Sequence, residues 1–523
     1  MLQRPLTKVI VYRVVIALAL LVLAIIVVWF LTPRLRQAAQ TEQALASLKI
    51  KQNAPGVWRW QQSQIPLPRR LESLRRDEIT NHYQSALNEI GYATQSNDPS
   101  GLRTYFEESA LEDALLAAGS VSVQANWGHD LRLRFYAPDG ATVAFTDSAW
   151  VGFIWKDNFE IRYQVMDVVM RLSDGNWRIV HWRILQRSIP KLERNSVLAP
   201  NALSDLRGVN YVGRLHPFGA FWDNWNAEDV RSSFRLAKAI KLPVIRFFIP
   251  YPTPESVYVH LPEMLTIAKS LGIRLMPTLL DSYTWYRLED LPNIHASMER
   301  LLPMLRDSSI FAIDLKNEAE RDAPKASWRN IRGVLGYLAT WLQQKTKKPI
   351  TAGLSDPDMV LARSLDFVTV HHYGSLAQLE TRLIAAKTTG KPVILQEFGF
   401  HTQINKLPDP HTEAEQAEFF SKVLALCQQQ NVGWLAWNLH DFTAGSMPNN
   451  RVVERFLGLV RANGSLKPAV SVLLGYPPET ASWFDRFLKL QALLSLWWLG
   501  LVFVVLWLGR DFIKLQVLKQ FKK

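Results

Sequence analysis

The sequence predicts an α/β protein: a (β/α)8 barrel over residues 205–475, preceded by a small α+β domain and flanked by one transmembrane helix at each end. Three observations predict it. From residue 205 onward, apolar strands alternate with helical stretches. Between 77 and 187, helical periodicity gives way to period-two alternation. An unbroken apolar run begins at Val14, and a second apolar run, which carries Gln491 and Ser495, begins at Leu490.

The tails come first. Of the net charge of +13, the first 13 residues carry Arg4, Lys8 and Arg13, and the last 14 carry five basic residues against Asp511. Both tails flank apolar runs, so membrane topology explains the excess better than nucleic-acid binding, which is not expected. Val14–Leu31 reads VVIALALLVLAIIVVWFL. That is close to the ~20 residues that cross a bilayer and longer than the ~7–15 of a signal-peptide core. Thr32-Pro33-Arg34 follows in place of a small-residue cleavage site. The second run is Leu490–Leu508. The expected topology is an integral plasma- or inner-membrane protein with two spans and both tails (1–13 and 509–523) cytoplasmic. Residues 32–489 would then lie outside the cytoplasm, with membrane lipid as a partner.

Residues 32–76 read as a stalk, in which Trp58 and Trp60 argue for packing on a neighbour. Residues 77–187 form one α+β unit: helices over Asp77–Tyr92 and Leu102–Ala118, then five alternating segments punctuated by Asp139-Gly140 and Asp174-Gly175. Helices first, followed by a curled antiparallel sheet ending in DGNWRIVHWRIL, resembles the nuclear-transport-factor-2-like fold. That resemblance implies an accessory or docking role. Residues 188–204 and 476–489 read as linkers.

The barrel strands are predicted at Arg207–Val212, Pro243–Phe248, Arg274–Leu280, Ile310–Leu315, Pro349–Gly353, Phe367–His372, Pro392–Glu397 and Gly433–Asn438. A doubly wound sheet is the alternative, but the first strand runs into GVNYVGRLHPFG, without the GxGxxG phosphate loop. No cofactor is therefore expected. No metal site is expected either. The lone Cys427 excludes a cysteine zinc cluster and any intramolecular disulfide, and the adjacent His371 and His372 point to opposite faces of a strand.

Catalytic groups of such a barrel gather at the carboxyl ends of its strands. Strand four ends on Asn317-Glu318 and strand seven on Glu397. Two carboxylates facing one mouth suit glycosidic bond cleavage, in which one group protonates the leaving oxygen and the other attacks the anomeric carbon or activates water. The other ends supply Arg246, the pair His371 and Tyr373, and Trp437. Trp222, Trp225, Tyr251, Tyr283 and Trp285 fall in neighbouring loops, where aromatic rings stack on sugars.

Residues 205–475 resemble the retaining glycoside hydrolases with glutamates after strands four and seven, and among them glycoside hydrolase family 5, the cellulase-like group. Asn317-Glu318 matches the acid/base motif, Glu397 in QEFG the nucleophile, His371-x-Tyr373 the strand-six pair, Arg246 the strand-two arginine and Trp437 the strand-eight tryptophan. Two positions depart from the pattern. Ala319 stands where the family has proline, and strand three ends on Asp281 and Tyr283 without a histidine. The resemblance implies that Glu397 is the nucleophile and Glu318 the acid/base. It implies that Asn317 bonds the sugar 2-hydroxyl, that Arg246 and Tyr373 orient Glu397, and that Trp437 forms an apolar floor.

Together these readings lead to the expectation of a membrane-anchored retaining β-glycoside hydrolase or transglycosylase. Its substrate would be an extracytoplasmic polysaccharide or oligosaccharide, and its partner a polysaccharide synthase or export machine. The alternative is a non-catalytic glycan-binding scaffold of such a complex.

Overall fold

The computed structural model describes residues 58–491, apart from 62, 64, 121, 122, 156, 157, 405, 407, 408, 444, 447, 448 and 484. Two structural parts meet in it, a smaller α+β domain and a (β/α)8 barrel.

The smaller domain contains β1 (Trp58–Gln61), α1 (Ser73–Ser96), α2 (Leu102–Tyr105), α3 (Glu108–Ser120), β2 (Val123–Tyr136), β3 (Thr142–Trp155), β4 (Asn158–Ser173) and β5 (Asn176–Ser188). The sheet follows sequence order, with β1 parallel to β2 and the remaining pairs antiparallel. Gly140 and Gly175 take φ of 73° and 80° in the two hairpin turns, a conformation that favours glycine. Helix α1 buries Ile79, Tyr83, Ala86, Leu87 and Ile90 along one stripe.

Three local expectations are corrected. The helix expected over Leu102–Ala118 breaks at Phe106, which is extended and buried, while Glu107 N–H donates to Ile179 O at 2.9 Å. Burying the ring and joining the sheet edge outweigh one more helical turn. The first two expected strands run as one, β2, with a register shift around Gly128. Part of the expected stalk is sheet: β1 belongs to it, Trp58 stacks on His129 with ring centroids 3.8 Å apart, and Trp60 Nε1 donates to Thr80 Oγ1 at 2.9 Å.

The barrel strands are β6 (Arg207–Asn210), β7 (Val244–Pro250), β8 (Arg274–Asp281), β9 (Ile313–Asp314), β10 (Ile350–Thr351), β11 (Val368–His372), β12 (Val393–Phe398) and β13 (Gly433–Ala436). Their order is β10-β9-β8-β7-β6-β13-β12-β11, and every pairing is parallel. The ring closes between β10 and β11, where Asp366 N–H donates to Ile350 O at 2.8 Å and His371 N–H to Leu354 O at 2.9 Å. Helices α4 (Ala227–Ala239), α5 (Glu255–Leu271), α6 (Leu291–Leu305), α7 (Trp328–Thr346), α8 (Met359–Ala362), α9 (Leu376–Lys387) and α10 (Glu413–Gln429) alternate with the strands, and α11 (Ala469–Leu473) follows β13. Asn226, Ser327, Ser375 and Thr412 cap four of them by accepting a backbone N–H.

The barrel interior has two characters. Its amino-terminal half is apolar, built from Leu203, Leu206, Val244, Met276, Phe367, Ile394 and Leu435. Its carboxyl-terminal half is polar and fully buried, with Asn210, Arg246, Asp314 and Gln396. The segment before β6 is tied down, as Arg194 makes a two-pronged contact with Asp366 at 2.6 and 2.7 Å. Between the two parts, Trp127 Nε1 on β2 donates to Tyr337 Oη on α7 at 2.8 Å.

The membrane expectation is corrected. Among the described residues no helix is long and apolar enough to cross a membrane. The runs 14–31 and 492–508 lie outside the described residues. The fold is therefore a (β/α)8 barrel with a smaller α+β domain. The two-span topology, the extracytoplasmic location, and the lipid and synthase or export partners have no structural support and are set aside.

Candidate active site

The site is built on a buried arginine. Arg246, from β7, is fully enclosed and cannot shed its proton, so burial demands compensating acceptors. It finds four. Nε and Nη2 donate to Asp314 Oδ2 at 3.0 and 2.8 Å. Nη1 donates to Asn210 Oδ1 at 2.9 Å and to Glu397 Oε1 at 2.5 Å, and Nη2 also donates to Asn317 Oδ1 at 2.7 Å. Strands one, two, four and seven thus converge on one guanidinium.

Glu397, at the end of β12, is held from its other side. Tyr373 Oη donates to Glu397 Oε2 at 2.8 Å. The Tyr373 ring is 46% exposed, yet desolvation around its hydroxyl, and then the Glu397 charge, hold the phenol well above its usual pKa. The phenol therefore stays a donor.

Glu318 follows β9 with left-handed backbone, φ 47° and ψ 54°, at a cost of about 1–2 kcal/mol for a side chain of this kind. Its carboxylate faces His371, with Nδ1 3.4 Å from Oε1, and Arg321, with Nε 2.9 Å from Oε2. His371 Nδ1 also lies 3.5 Å from Glu397 Oε2. One oxygen of each glutamate and Nδ1 lie within 4.8 Å of one another.

Hydrogen-bond partners assign the histidine's tautomer. Asp314 can only accept, so Gln396 turns Nε2 toward it at 3.3 Å and presents Oε1 to His371 Nε2 at 2.8 Å. His371 Nε2 is therefore a donor, and Nδ1 is the atom that gains or loses a proton between the glutamates. Burial opposes charge on His371, but the Glu397 charge and the Glu318 hydrogen bond outweigh it and raise its pKa. For Glu318, burial pushes up, whereas the His371 hydrogen bond and charge, with Arg321 and Arg246, bring the net value below the usual glutamate range.

The departure at Ala319 has a local cause. Its N–H lies 3.4 Å from Gly353 O, a donor that proline lacks.

A cavity of about 1140 Å3 opens over these groups, lined by Asn317, Glu318, Tyr373, Glu397 and Trp437 among others. Trp437 is buried, with Nε1 donating to Glu454 Oε2 at 2.9 Å. None of the five expected loop aromatics, Trp222, Trp225, Tyr251, Tyr283 and Trp285, lines it. Trp222 is buried with Nε1 bonded to Phe248 O at 2.8 Å, and Tyr283 is buried with its hydroxyl on Asp290 at 2.9 Å. Trp285 is 53% exposed beside Arg287, away from the lining. Trp222 and Tyr283 pack on the fold instead.

Several site residues escaped the sequence reading. Asp314 accepts from Arg246 and from Thr278 Oγ1 at 2.8 Å, and the carbonyl oxygens of Gln396 and Ala436 hold Asn210 Nδ2 at 3.0 and 3.1 Å. A lone carboxylate inside the apolar run IFAIDL was the available signal for Asp314. Glu454 lies far along the chain in a segment with no strand-end signature. His401, Asp409 and His411 line the outer wall with metal-ligand spacing. There Lys406 Nζ stands 3.3 Å from His401 Nε2 and 3.5 Å from Asp409 Oδ2, so an ammonium already supplies the positive charge.

No family model and no curated protein matches the chain. Among solved structures, it is similar to a GH5_18 from Bifidobacterium longum subsp. infantis, with 19% identity over 53% of this chain and 80% of that one and a TM-score of 0.43. It is similar to GH5_18 from Streptomyces cattleya in complex with GlcNAc (19%, 51% and 79%, TM-score 0.43). A β-1,3-glucanosyltransferase from Rhizomucor miehei gives 16%, 50% and 96%, with a TM-score of 0.41. Likenesses this distant assign neither family nor substrate. The chain is a (β/α)8 barrel with two buried glutamates at the carboxyl ends of its strands, joined to a smaller α+β domain.

Proposed function

We propose that the chain is a retaining glycoside hydrolase of the family 5 type, acting on a β-linked oligosaccharide or polysaccharide through Glu318 and Glu397. The observation that carries this reading is that the two carboxylates face one cleft with one oxygen of each within 4.8 Å of the other, an approach that suits the retaining geometry. Retaining enzymes place the pair ~5–5.5 Å apart, whereas inverting ones need ~6.5–9.5 Å to admit a water.

In the first step Glu397 attacks the anomeric carbon and forms a glycosyl ester. The bond to the leaving oxygen breaks as that oxygen takes the proton from Glu318. In the second step Glu318 removes a proton from water, or from a sugar hydroxyl in transfer, as it displaces Glu397. Arg246 and Tyr373 donate to the two oxygens of Glu397 and aim it. Asn317 gives its Oδ1 to Arg246, which leaves Nδ2 free among the described residues to donate to the 2-hydroxyl. Trp437 offers a ring face to the sugar. The cavity exceeds the needs of one pyranose, which favours an extended substrate. We read the smaller domain as nuclear-transport-factor-2-like, on the order of its helices and antiparallel strands.

Glu318→Gln and Glu397→Gln, each in the full chain and assayed on a panel of β-glycans, test the assignment. Both are expected to lose turnover while remaining folded. Full activity in either variant removes that residue from the mechanism.

A further inference from the structure

The smaller domain has a cavity of its own, about 290 Å3, and none of its lining residues lines the barrel cleft. It lies between one face of the sheet and helices α1 and α3. Side chains alternate along each strand, so Ala125, Trp127 and Ile161 turn to the barrel core while Gln124, Val151, Phe153 and Gln164 turn to the cavity. Leu87 and Ala117 close the helical side.

The walls are apolar apart from a few polar groups. Gln164 is 3% exposed and Gln124 is 9% exposed. Both belong to the lining, so their amides are within reach of a polar group bound in the cavity. Two arginines belong to the same lining, and among the described residues no acid does. Arg162 lies over Phe153, 4.9 Å from the ring centroid, and pairs with Glu160. Arg187 stands directly across the ladder from Gln164, exposed, with no carboxylate partner among the described residues. Among the described residues the lining holds no histidine, carboxylate, hydroxyl or thiol, which points to binding rather than catalysis.

We propose that this cavity binds a small amphipathic carboxylate, with its apolar body against Val151, Phe153 and Met166 and its head toward Arg187 and the Gln164 amide. This binding is independent of the chemistry at the barrel.

The test is isothermal titration of the full chain with octanoate, with 1-octanol as the uncharged control, on the wild type and on Arg187→Glu. Arg187 is exposed, so the substitution leaves the core intact, and an unchanged thermal melt verifies it. Octanoate is expected to bind once per chain and about tenfold more tightly than octanol. Arg187→Glu is expected to weaken octanoate about tenfold and leave octanol unchanged, as loss of a charge-assisted hydrogen bond requires. Absence of octanoate binding up to millimolar concentration overturns the proposal. So does equal affinity for octanol, or octanoate binding indifferent to Arg187→Glu.

Discussion

Arg246 and Glu397 meet inside the barrel at 2.5 Å, with neither side chain more than 4% exposed. A buried ion pair of this kind is costly to assemble and more costly to break, because the surviving charge has no water to turn to. Arg246→Ala strands Glu397 and Asp314 together. It is expected to destabilise the fold by about 3–5 kcal/mol in urea denaturation and to abolish turnover. Arg246→Lys keeps the charge but cannot reach four acceptors at once, so it is expected to restore part of the stability and little of the activity.

The contact between Glu318 and His371 predicts a pH effect with a definite sign. Burial raises the Glu318 pKa, but the His371 hydrogen bond and charge outweigh it, and the net shift is downward. The acid step needs Glu318 protonated, so its ionisation sets the alkaline limb of kcat/KM. His371→Asn removes the strongest lowering influence. The Glu318 pKa then rises, and the alkaline limb is expected to move to higher pH. A limb that stays in place, or moves down, shows that His371 does not tune Glu318.

Asn317 donates only through Nδ2 once Arg246 has taken its Oδ1. A bond to the 2-hydroxyl that strengthens in the transition state lowers kcat when lost and leaves KM nearly alone. Asn317→Ala is expected to reduce kcat by about 10–100-fold, on the order of 1.5–3 kcal/mol for a hydrogen bond to a developing charge. A change confined to KM reassigns Asn317 to ground-state binding.

The strand ends were legible because each barrel strand is a short apolar run that stops on polar residues, as in VIRFFIP and VILQEFGF. Period and burial coincide there, so Glu318, Glu397, Arg246 and Tyr373 could be named in advance. The aromatics in the loops were not legible in the same way. Trp222 and Tyr283 have the composition of stacking platforms, but whether a ring faces a cleft or a neighbouring loop depends on tertiary packing. Asp314 was hidden for a different reason: a buried polar residue in a strand declares itself only through a partner brought by another strand. The break at Phe106 had no signal in helix periodicity, since the gain lies in a contact with Ile179, 73 residues away. The apolar runs 14–31 and 490–508 were the plainest feature of the sequence, and apart from Leu490 and Gln491 they lie outside the described residues.

The two parts of the molecule share a core through Trp127, which packs edge-on against Tyr337 with centroids 5.6 Å apart. Gly333 on α7 leaves room for Phe159, since an added Cβ would stand 2.2 Å from the ring. Trp127→Ala is expected to cost about 3–5 kcal/mol. Because the loss falls at the junction, calorimetry is expected to show one transition in the wild type and two in the variant. A single shifted transition would show that the domains remain coupled without Trp127.

The account rests on double displacement at Glu397. Product configuration, followed by proton NMR during hydrolysis by the full chain of whichever β-glycan it cleaves in the panel, reads it directly. The first-formed anomer is expected to be β, with α appearing only later by mutarotation. An initial α product, or cleavage of no β-glycan in the panel, would contradict it.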